Sequence, residues 1–159
     1  MVKSTKFAIM LGGNLGDSAA IFRKALDKLA ASGCRKLRMS RIYRGAAVDC
    51  APGVPDFSDA AAAGEWSGTA LELLRLCQTL EREAGRPADH SSRESRTLDI
   101  DLVLFGDEVI DTPELKVPHP RAQSRRFVLE PLAELLPDAR FPDSGRKIGE
   151  CLRILPPEI

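Results

Sequence analysis

Residues 96–105 read Arg-Thr-Leu-Asp-Ile-Asp-Leu-Val-Leu-Phe. Side chains of an extended strand alternate between its two sides, so Asp99 and Asp101 fall on the same side of this stretch. The opposite side carries a continuous apolar row formed by Leu98, Ile100, Leu102 and Leu104. The pattern predicts a strand that buries one side in the core and presents two neighbouring carboxylates on the other.

The predicted position of the two carboxylates is energetically unfavourable. Like charges on neighbouring positions of one strand side repel each other, and aspartate is uncommon in strands. A divalent cation bound by Asp99 and Asp101 would remove this repulsion, and Mg²⁺ suits hard oxygen ligands, usually one or two carboxylates together with substrate phosphates. The alternative at this point is a strand end at which both aspartates are simply solvated.

Composition indicates a single globular domain. The chain has 159 residues, 43% of them hydrophobic, and we expect residues 1–159 to form one domain with a substantial core. Basic and acidic residues number 23 each, so the net charge is zero and does not favour a nucleic acid partner. The four cysteines lack metal-ligand spacing and predict free thiols in a reducing cytoplasm. The sequence contains no apolar run of about 18 residues, so it predicts no membrane-spanning helix.

The start of the chain predicts a strand, a turn and a helix. The apolar run 6–11 should form a buried strand that ends in a turn at Gly12, Gly13 and Asn14. Asp17 or Ser18 should cap the helix that follows. Because the Gly-Lys-Ser/Thr signature of a phosphate-cradling loop is missing, we interpret the glycines as turn formers.

Two further strands are predicted before the next helix. Mixed alternation indicates a strand over residues 37–43, and a third strand is expected over residues 57–64, whose alanines are equally compatible with a helix. The segment 45–55 between them is rich in glycine and proline. It predicts a loop long enough to close over a substrate.

The second helix is predicted by its own cap. Thr69 and Glu72 have the spacing of a capping box, and Gly85 is a typical stop. Gln78 and Glu81 lie three residues apart and therefore on one side of this helix. We expect an apolar face made of Leu71, Leu74, Cys77 and Leu80.

The last third of the chain predicts short elements. A turn at 105–108 precedes a short apolar return. In Val117-Pro118-His119-Pro120-Arg121 the prolines stiffen the chain and should place His119 and Arg121 at the mouth of a loop. An apolar series over 127–135 predicts a short helix, and a last helix is expected over 148–155.

Three sequence blocks together resemble the 6-hydroxymethyl-7,8-dihydropterin pyrophosphokinase family. They are Leu-Gly-Gly-Asn-Leu-Gly-Asp at 11–17, Arg-Thr-Leu-Asp-Ile-Asp-Leu at 96–102, and Val-Pro-His-Pro-Arg at 117–121 with Arg-Arg-Phe-Val-Leu-Glu-Pro-Leu at 125–132. The resemblance implies an α+β, ferredoxin-like fold with an antiparallel sheet between helices. It also implies transfer of pyrophosphate from ATP to the hydroxymethyl group of the pterin, with release of AMP, in folate biosynthesis.

The resemblance also implies roles for individual residues. Asp99 and Asp101 would hold two Mg²⁺ ions and, with Arg86 and Arg96, form the catalytic group. Nucleotide contacts would come from Gln78, Glu81, Arg96, Leu102, Leu115, His119 and Arg125. The pterin would lie between Phe57 and Phe127, with Asn14, Val48 and Asp59 also contacting it. The implied partners are the two small-molecule substrates, and we expect a monomer with no nucleic acid or membrane partner.

The chain departs from the family pattern at the pterin side. Asp59 stands where the family commonly has an asparagine, so this residue accepts hydrogen bonds but does not donate them when ionised. Gly45-Ala46-Ala47-Val48 replaces a proline-rich segment. These departures leave open a paralogue that binds pterin or nucleotide without transfer. A palm-type nucleotidyltransferase is a second alternative, because such an enzyme could also use an Asp pair on an antiparallel sheet.

Overall fold

Helices cover both faces of an antiparallel sheet in the computed structural model, which describes residues 3–45, 57–85 and 97–156. In chain order the elements are β1 (Thr5–Gly13), α1 (Ser18–Ala31), β2 (Arg35–Met39), β3 (Tyr43–Gly45), β4 (Phe57–Trp66), α2 (Ala70–Glu83), β5 (Asp99–Phe105), β6 (Ile110–Asp111), β7 (Lys116–Val117), α3 (Arg126–Leu135) and α4 (Ile148–Ile154). A 3₁₀ turn at Ala122–Ser124 precedes α3.

The sheet has the topology that the sequence predicts. Its order is β2-β4-β1-β5, with β3 also paired to β4, and all of these pairings are antiparallel. If β2 and β3 are taken as one interrupted strand, the order of elements is β-α-β-β-α-β, which is the ferredoxin-like unit. The expected α+β class is confirmed, and β4 is a strand, not the alternative helix. The strands β6 and β7 pair separately.

Two clusters of buried side chains lie on opposite sides of the sheet. The first cluster contains residues of α1 and α2, including Phe22, Leu29 and Leu73, and we call that side the α1 face. The second contains residues of α3 and α4, including Leu132 and Ile148, and that side is the α3 face. Alternation along each strand assigns every strand residue to one face or the other.

The helix α2 has the predicted cap but a different buried face. Thr69 Oγ1 accepts from the Glu72 backbone at 3.1 Å, and Glu72 Oε1 accepts from the Thr69 backbone at 2.8 Å. The prediction for Leu71 is wrong, because this side chain is 41% exposed while Leu73 is fully buried. The buried positions are Ala70, Leu73, Cys77 and Leu80, which follow the helical repeat.

A bulge changes the predicted alternation of β5. Ile9 pairs with Leu102 and Ala8 pairs with Leu104, so Val103 is an extra residue in β5. Ile100 and Leu102 face α1, as predicted. The prediction that Leu104 shares their side is wrong, because the extra residue turns it into the cluster on the α3 face.

The predicted strand over 37–43 is in fact two strands. The chain leaves the ladder after β2 and rejoins it at β3. At the break the buried Ser40 replaces the regular pairing, since its hydroxyl accepts from the Ala61 backbone at 2.9 Å and its own N–H donates to the Ala61 carbonyl at 2.9 Å. At this position a side-chain hydroxyl satisfies a backbone N–H of β4 that a backbone carbonyl would satisfy elsewhere in the sheet.

The predicted turn at Gly12 and Gly13 is also wrong. Both residues belong to β1, where Gly12 pairs with Asp59 and Gly13 with Ser58. The turn follows them, and the Asp17 side chain then accepts from Ala20 N at 3.2 Å to cap α1. Among the described residues, no helix combines the length and apolar character needed to cross a membrane.

Candidate active site

A row of cross-strand neighbours on the α3 face contains two carboxylates. Asp59 on β4 pairs with Gly12 on β1, and Gly12 pairs with Asp99 on β5. Directly paired residues of antiparallel strands point to the same face, so both side chains lie on the α3 face. Asp101 follows two residues after Asp99, on the same face, opposite Met10. Three carboxylates thus share one region of the sheet surface, as the alternation predicts for the pair on β5.

Gly12 gives the carboxylates room. A Cβ placed on Gly12 would lie 3.0 Å from Asp59 Oδ1 and 3.9 Å from Asp99 Cβ. The first distance is shorter than an ordinary van der Waals contact, so a side chain at this position would push Asp59 aside. The absence of a side chain at Gly12 therefore leaves the space between the two acids open. The sequence pattern could not reveal this role, which depends on the pairing of three strands.

The charges of Asp99 and Asp101 act on the third acid, Asp59. Burial is the main cause that raises the pKa of Asp59 to about 7, and the charges of Asp99 and Asp101 raise it further. Asp99 is half-buried and Asp101 is exposed. The site therefore carries an excess of negative charge that a bound cation would relieve.

The donor set suits a hard cation that is shared with a ligand. Carboxylate oxygens are the preferred protein ligands of Mg²⁺. In the described ranges, no group of three or more histidine, cysteine, aspartate or glutamate side chains is arranged to hold a metal by itself. An ion at Asp99 and Asp101 would consequently need further oxygens from water or from a bound phosphate.

The helix α2 covers the open edge of β5 through Glu81. Glu81 Oε2 accepts a hydrogen bond of 2.8 Å from the Ile100 backbone N–H, between the two aspartates of β5. β5 is the last strand of the sheet, and its Ile100 N–H donates to a side chain of α2 rather than to a further strand. The contact fixes the stretch of backbone that carries Asp99 and Asp101.

The other predicted nucleotide contacts lie near the same edge. Gln78, one turn before Glu81, is half-buried and accepts from Arg75 at 3.1 Å. Arg75 also forms an ion pair with Glu114, next to Leu115. Leu102 and Leu115 are buried together in the cluster on the α1 face.

His119 is held against β5. Its backbone N–H donates to the Val103 carbonyl at 3.2 Å, and its Nδ1 accepts from the Arg121 backbone at 3.4 Å. A neutral imidazole with an accepting Nδ1 carries its proton on Nε2. The ring can therefore donate a hydrogen bond from Nε2, as contact with a phosphate oxygen would require.

The start of α3 presents an aromatic ring beside a cation. Phe127 is 50% exposed, and the Arg125 guanidinium carbon lies 5.4 Å from its ring centroid. An exposed ring of this size provides a stacking surface for a planar ligand. Arg125 immediately precedes the helix and is half-buried.

The predicted pterin contacts are only partly described. Phe57 opens β4 opposite Gly45, two residues before Asp59 on the same strand, and Asn14 is buried just after β1. The predicted site residues Val48, Arg86 and Arg96 lie outside the described residues. A cavity of about 250 Å³ between α1 and α2, lined by Lys24, Lys28 and Leu80 among others, includes none of the predicted site residues.

This fold and site define a small α+β protein with an acidic region on one face of its antiparallel sheet. Residues 8–137 match the family described as 7,8-dihydro-6-hydroxymethylpterin-pyrophosphokinase. A 2-amino-4-hydroxy-6-hydroxymethyldihydropteridine pyrophosphokinase of Pseudomonas aeruginosa is 39% identical over 149 residues, covering 93% of this chain and 90% of the relative. One from a Synechocystis strain is 37% identical over 143 residues, covering 89% and 72%.

The chain belongs to the 7,8-dihydro-6-hydroxymethylpterin-pyrophosphokinase family. Solved structures agree on the fold: the Plasmodium falciparum HPPK-DHPS structure with pteroate has a TM-score of 0.73 at 12% identity. That match covers 95% of this chain and 42% of the Plasmodium chain, so this chain spans less than half of that protein. The family match and the curated relatives confirm the resemblance that the sequence blocks indicate.

Proposed function

We propose that this chain transfers the β and γ phosphates of ATP to the hydroxymethyl oxygen of 6-hydroxymethyl-7,8-dihydropterin and releases AMP. Family membership supports the class of reaction, a pyrophosphokinase step of folate biosynthesis. The observation that carries the assignment of the site is the row Asp59, Gly12 and Asp99, with Asp101 beside it on the same face.

Asp99 and Asp101 are the proposed ligands of two Mg²⁺ ions. The negative charge of these acids, which disfavours ionisation of the neighbouring Asp59, and their oxygen donors fit this metal. Bound Mg²⁺ would neutralise phosphate charge and lower the pKa of the acceptor hydroxyl. Glu81 holds the backbone between the two aspartates in place, so their separation is set before any ligand binds.

The stoichiometry fixes the bonds that change. The pterin hydroxymethyl oxygen bonds to the β-phosphorus, the bond from that phosphorus to the α,β-bridging oxygen breaks, and the hydroxyl proton is lost. Charge spreads over the phosphate oxygens during such a transfer, and arginine or histidine donors stabilise it. The proposed donors are Arg86, Arg96, Arg125 and His119.

The two substrates occupy different parts of the site in this proposal. The nucleotide lies along the edge of β5, against Gln78, Glu81, Leu102 and Leu115. The pterin lies over the β4 side of the row, between Phe57 and Phe127, with Asn14, Val48 and Asp59 around it. The exposure of Phe127 and the position of Phe57 two residues from Asp59 support this arrangement.

We also propose a monomeric single domain, residues 1–159, in a reducing compartment such as the cytoplasm. The cysteines Cys34, Cys77 and Cys151 are free thiols, which supports a reducing compartment. Burial raises the pKa of Cys34 to about 11 and that of Cys77 to about 12, so these two thiols stay protonated and take no part in the chemistry.

A coupled assay tests the reaction. AMP formation from ATP and Mg²⁺ should require 6-hydroxymethyl-7,8-dihydropterin and should stop when a chelator removes the metal. Binding of the pterin without any AMP formation would favour the paralogue that binds without transfer. AMP formation that does not depend on the pterin would contradict the proposed acceptor.

A further inference from the structure

Glu134, in the last turn of α3, accepts two hydrogen bonds from the distant β2–β3 region. The Tyr43 hydroxyl donates to Glu134 Oε1 at 2.8 Å, and the Arg41 backbone N–H donates to Oε2 at 2.9 Å. The Arg41 guanidinium lies 4.5 Å from the centroid of the Tyr43 ring and 3.6 Å from the Glu134 carboxylate. One carboxylate therefore fixes both the backbone and the side chain of the neighbouring segment.

The break between β2 and β3 explains why a carboxylate is needed there. Residues 40–42 lie between the two strands, outside the regular ladder with β4. The N–H of Arg41 finds Glu134 as its acceptor instead of a strand. Burial raises the pKa of Tyr43, and Glu134 raises it further while Arg41 opposes, so the hydroxyl stays a donor at neutral pH.

This contact joins the two sides of the proposed pterin site. Tyr43 pairs with Asp59, and Gly45 pairs with Phe57, so β3 moves together with the β4 side of the site. Glu134 belongs to the same ten-residue helix as Phe127. Pro131 lies between them and lacks the N–H that would donate to the Phe127 carbonyl, but the chain stays helical from Arg126 to Leu135, so the helix still links the position of Phe127 to that of Glu134.

We propose that the Tyr43–Glu134 hydrogen bond is a positioning contact that sets the distance between Phe127 and the Phe57–Asp59 side of the pterin site. The inference rests on the proposed function, which places the pterin between these two sides. In this proposal Tyr43 and Glu134 are positioning residues that act through Phe127 and through the Phe57–Asp59 side, not by contact with the substrate. They act by holding α3 against β3, and the nucleotide edge of β5 lies at the far side of the sheet.

The substitution Tyr43→Phe tests the contact, because it removes the hydroxyl and keeps the ring beneath Arg41. The pterin KM should rise about fivefold, the loss expected for one hydrogen bond, while the ATP KM stays within about twofold. Glu134→Ala should produce the same selective effect. Glu134→Gln should raise the pterin KM less than Glu134→Ala does, since the amide oxygen still accepts from Tyr43. The double variant Tyr43→Phe with Glu134→Ala should be no worse than the more severe single variant.

A matched control separates positioning from general stability. Glu83→Gln removes the ion pair with Lys28, also at 2.8 Å and also on the surface, but between α1 and α2 on the other face. It should leave the pterin KM unchanged. If Tyr43→Phe and Glu134→Ala leave the pterin KM unchanged, or raise both KM values equally, the positioning role is wrong.

A second variant distinguishes this failure from failure of the proposed pterin site. Phe127→Ala should weaken pterin binding whether or not the Tyr43–Glu134 contact matters. If Phe127→Ala weakens binding and Tyr43→Phe does not, only the positioning role fails. If neither substitution changes pterin affinity, the pterin does not lie between these sides, and both proposals fail.

Discussion

Asp59 and Asp99 stand on either side of Gly12, on the two strands that pair with β1, and their side chains point to the same face of the sheet. A methyl group on Gly12 would come within 3.0 Å of Asp59 Oδ1. The spacing of the two acids, and with it the volume available to a ligand above them, depends on a residue that has no side chain.

Gly12→Ala should therefore lower kcat/KM by about tenfold to a hundredfold, because displacement of a positioned group by a fraction of an ångström is costly in catalysis. Steady-state AMP formation measures the effect. Gly64→Ala is the matched control: its Cβ would lie 2.7 Å from Leu37 on the α1 face, so it should destabilise the fold without selectively harming the site. Equal activity losses per folded molecule in both variants would contradict a special role for Gly12.

Asp59→Asn should stabilise the metal-free protein at alkaline pH. The pKa of Asp59 is raised to about 7, well above its ordinary value, so its ionised form costs stability in the folded state. This cost is absent below about pH 4, grows between about pH 4 and 7, and is complete above pH 7. Asparagine is uncharged like the protonated acid, so the variant does not carry this stability cost at any pH.

Thermal denaturation in the presence of a chelator, at pH 5 and at pH 8, measures this difference. Asp59→Asn should raise Tm by several degrees at pH 8 and by much less at pH 5. A rise in Tm that is the same at both pH values would show that ionisation of Asp59 is not the cause.

Glu81→Leu should loosen the strand that carries the aspartate pair. It removes the acceptor of the Ile100 N–H, and loss of a hydrogen bond to a charged group costs about 1.5–3 kcal/mol of the free energy of unfolding. Glu81→Gln keeps an acceptor oxygen and should recover most of this stability. Denaturant unfolding compares the two, and hydrogen exchange at Ile100 should be faster in Glu81→Leu alone. Unchanged protection of that amide would refute the contact.

Phe127→Ala should raise the pterin KM by about tenfold with little change in Tm. The ring is 50% exposed, so its removal costs the fold little, whereas loss of a stacked aromatic partner weakens binding of a planar ligand. Leu71→Ala, which removes an apolar side chain 41% exposed on α2, is the control and should leave pterin binding unchanged. A pterin KM that is similar in the Phe127→Ala and Leu71→Ala variants would contradict the assignment of Phe127 to the pterin site.

Local sequence patterns predicted the parts of this fold that depend on local interactions. The Thr69–Glu72 capping box forms within four residues, and the alternation of Asp99 and Asp101 against Ile100 needs only an extended backbone. The acidic surface could be predicted for the same reason. These features require no knowledge of what lies across the sheet.

Features that depend on partner strands could not be predicted in this way. The bulge at Val103 turns the Leu104 side chain to the opposite face of the sheet, because β1 pairs with Leu102 and Leu104 and leaves Val103 without a partner residue in β1. No local signal in the sequence marks this extra residue. The break at Ser40 is stabilised by Ala61 and by Glu134 on α3, far away in sequence. Gly12 resembles a turn glycine until its neighbours Asp59 and Asp99 are known.

The most direct test of the central claim is pterin-dependent AMP release at saturating ATP and Mg²⁺ by Asp99→Ala and Asp101→Ala. Each variant should lose at least about a hundredfold in turnover, since a preorganised electrostatic contact to the reacting phosphates is removed. Their folds should be retained, because each substitution relieves repulsion among the acids that raises the pKa of Asp59. Near-normal AMP release by a folded Asp101→Ala variant would contradict the assignment of this aspartate pair as the metal site.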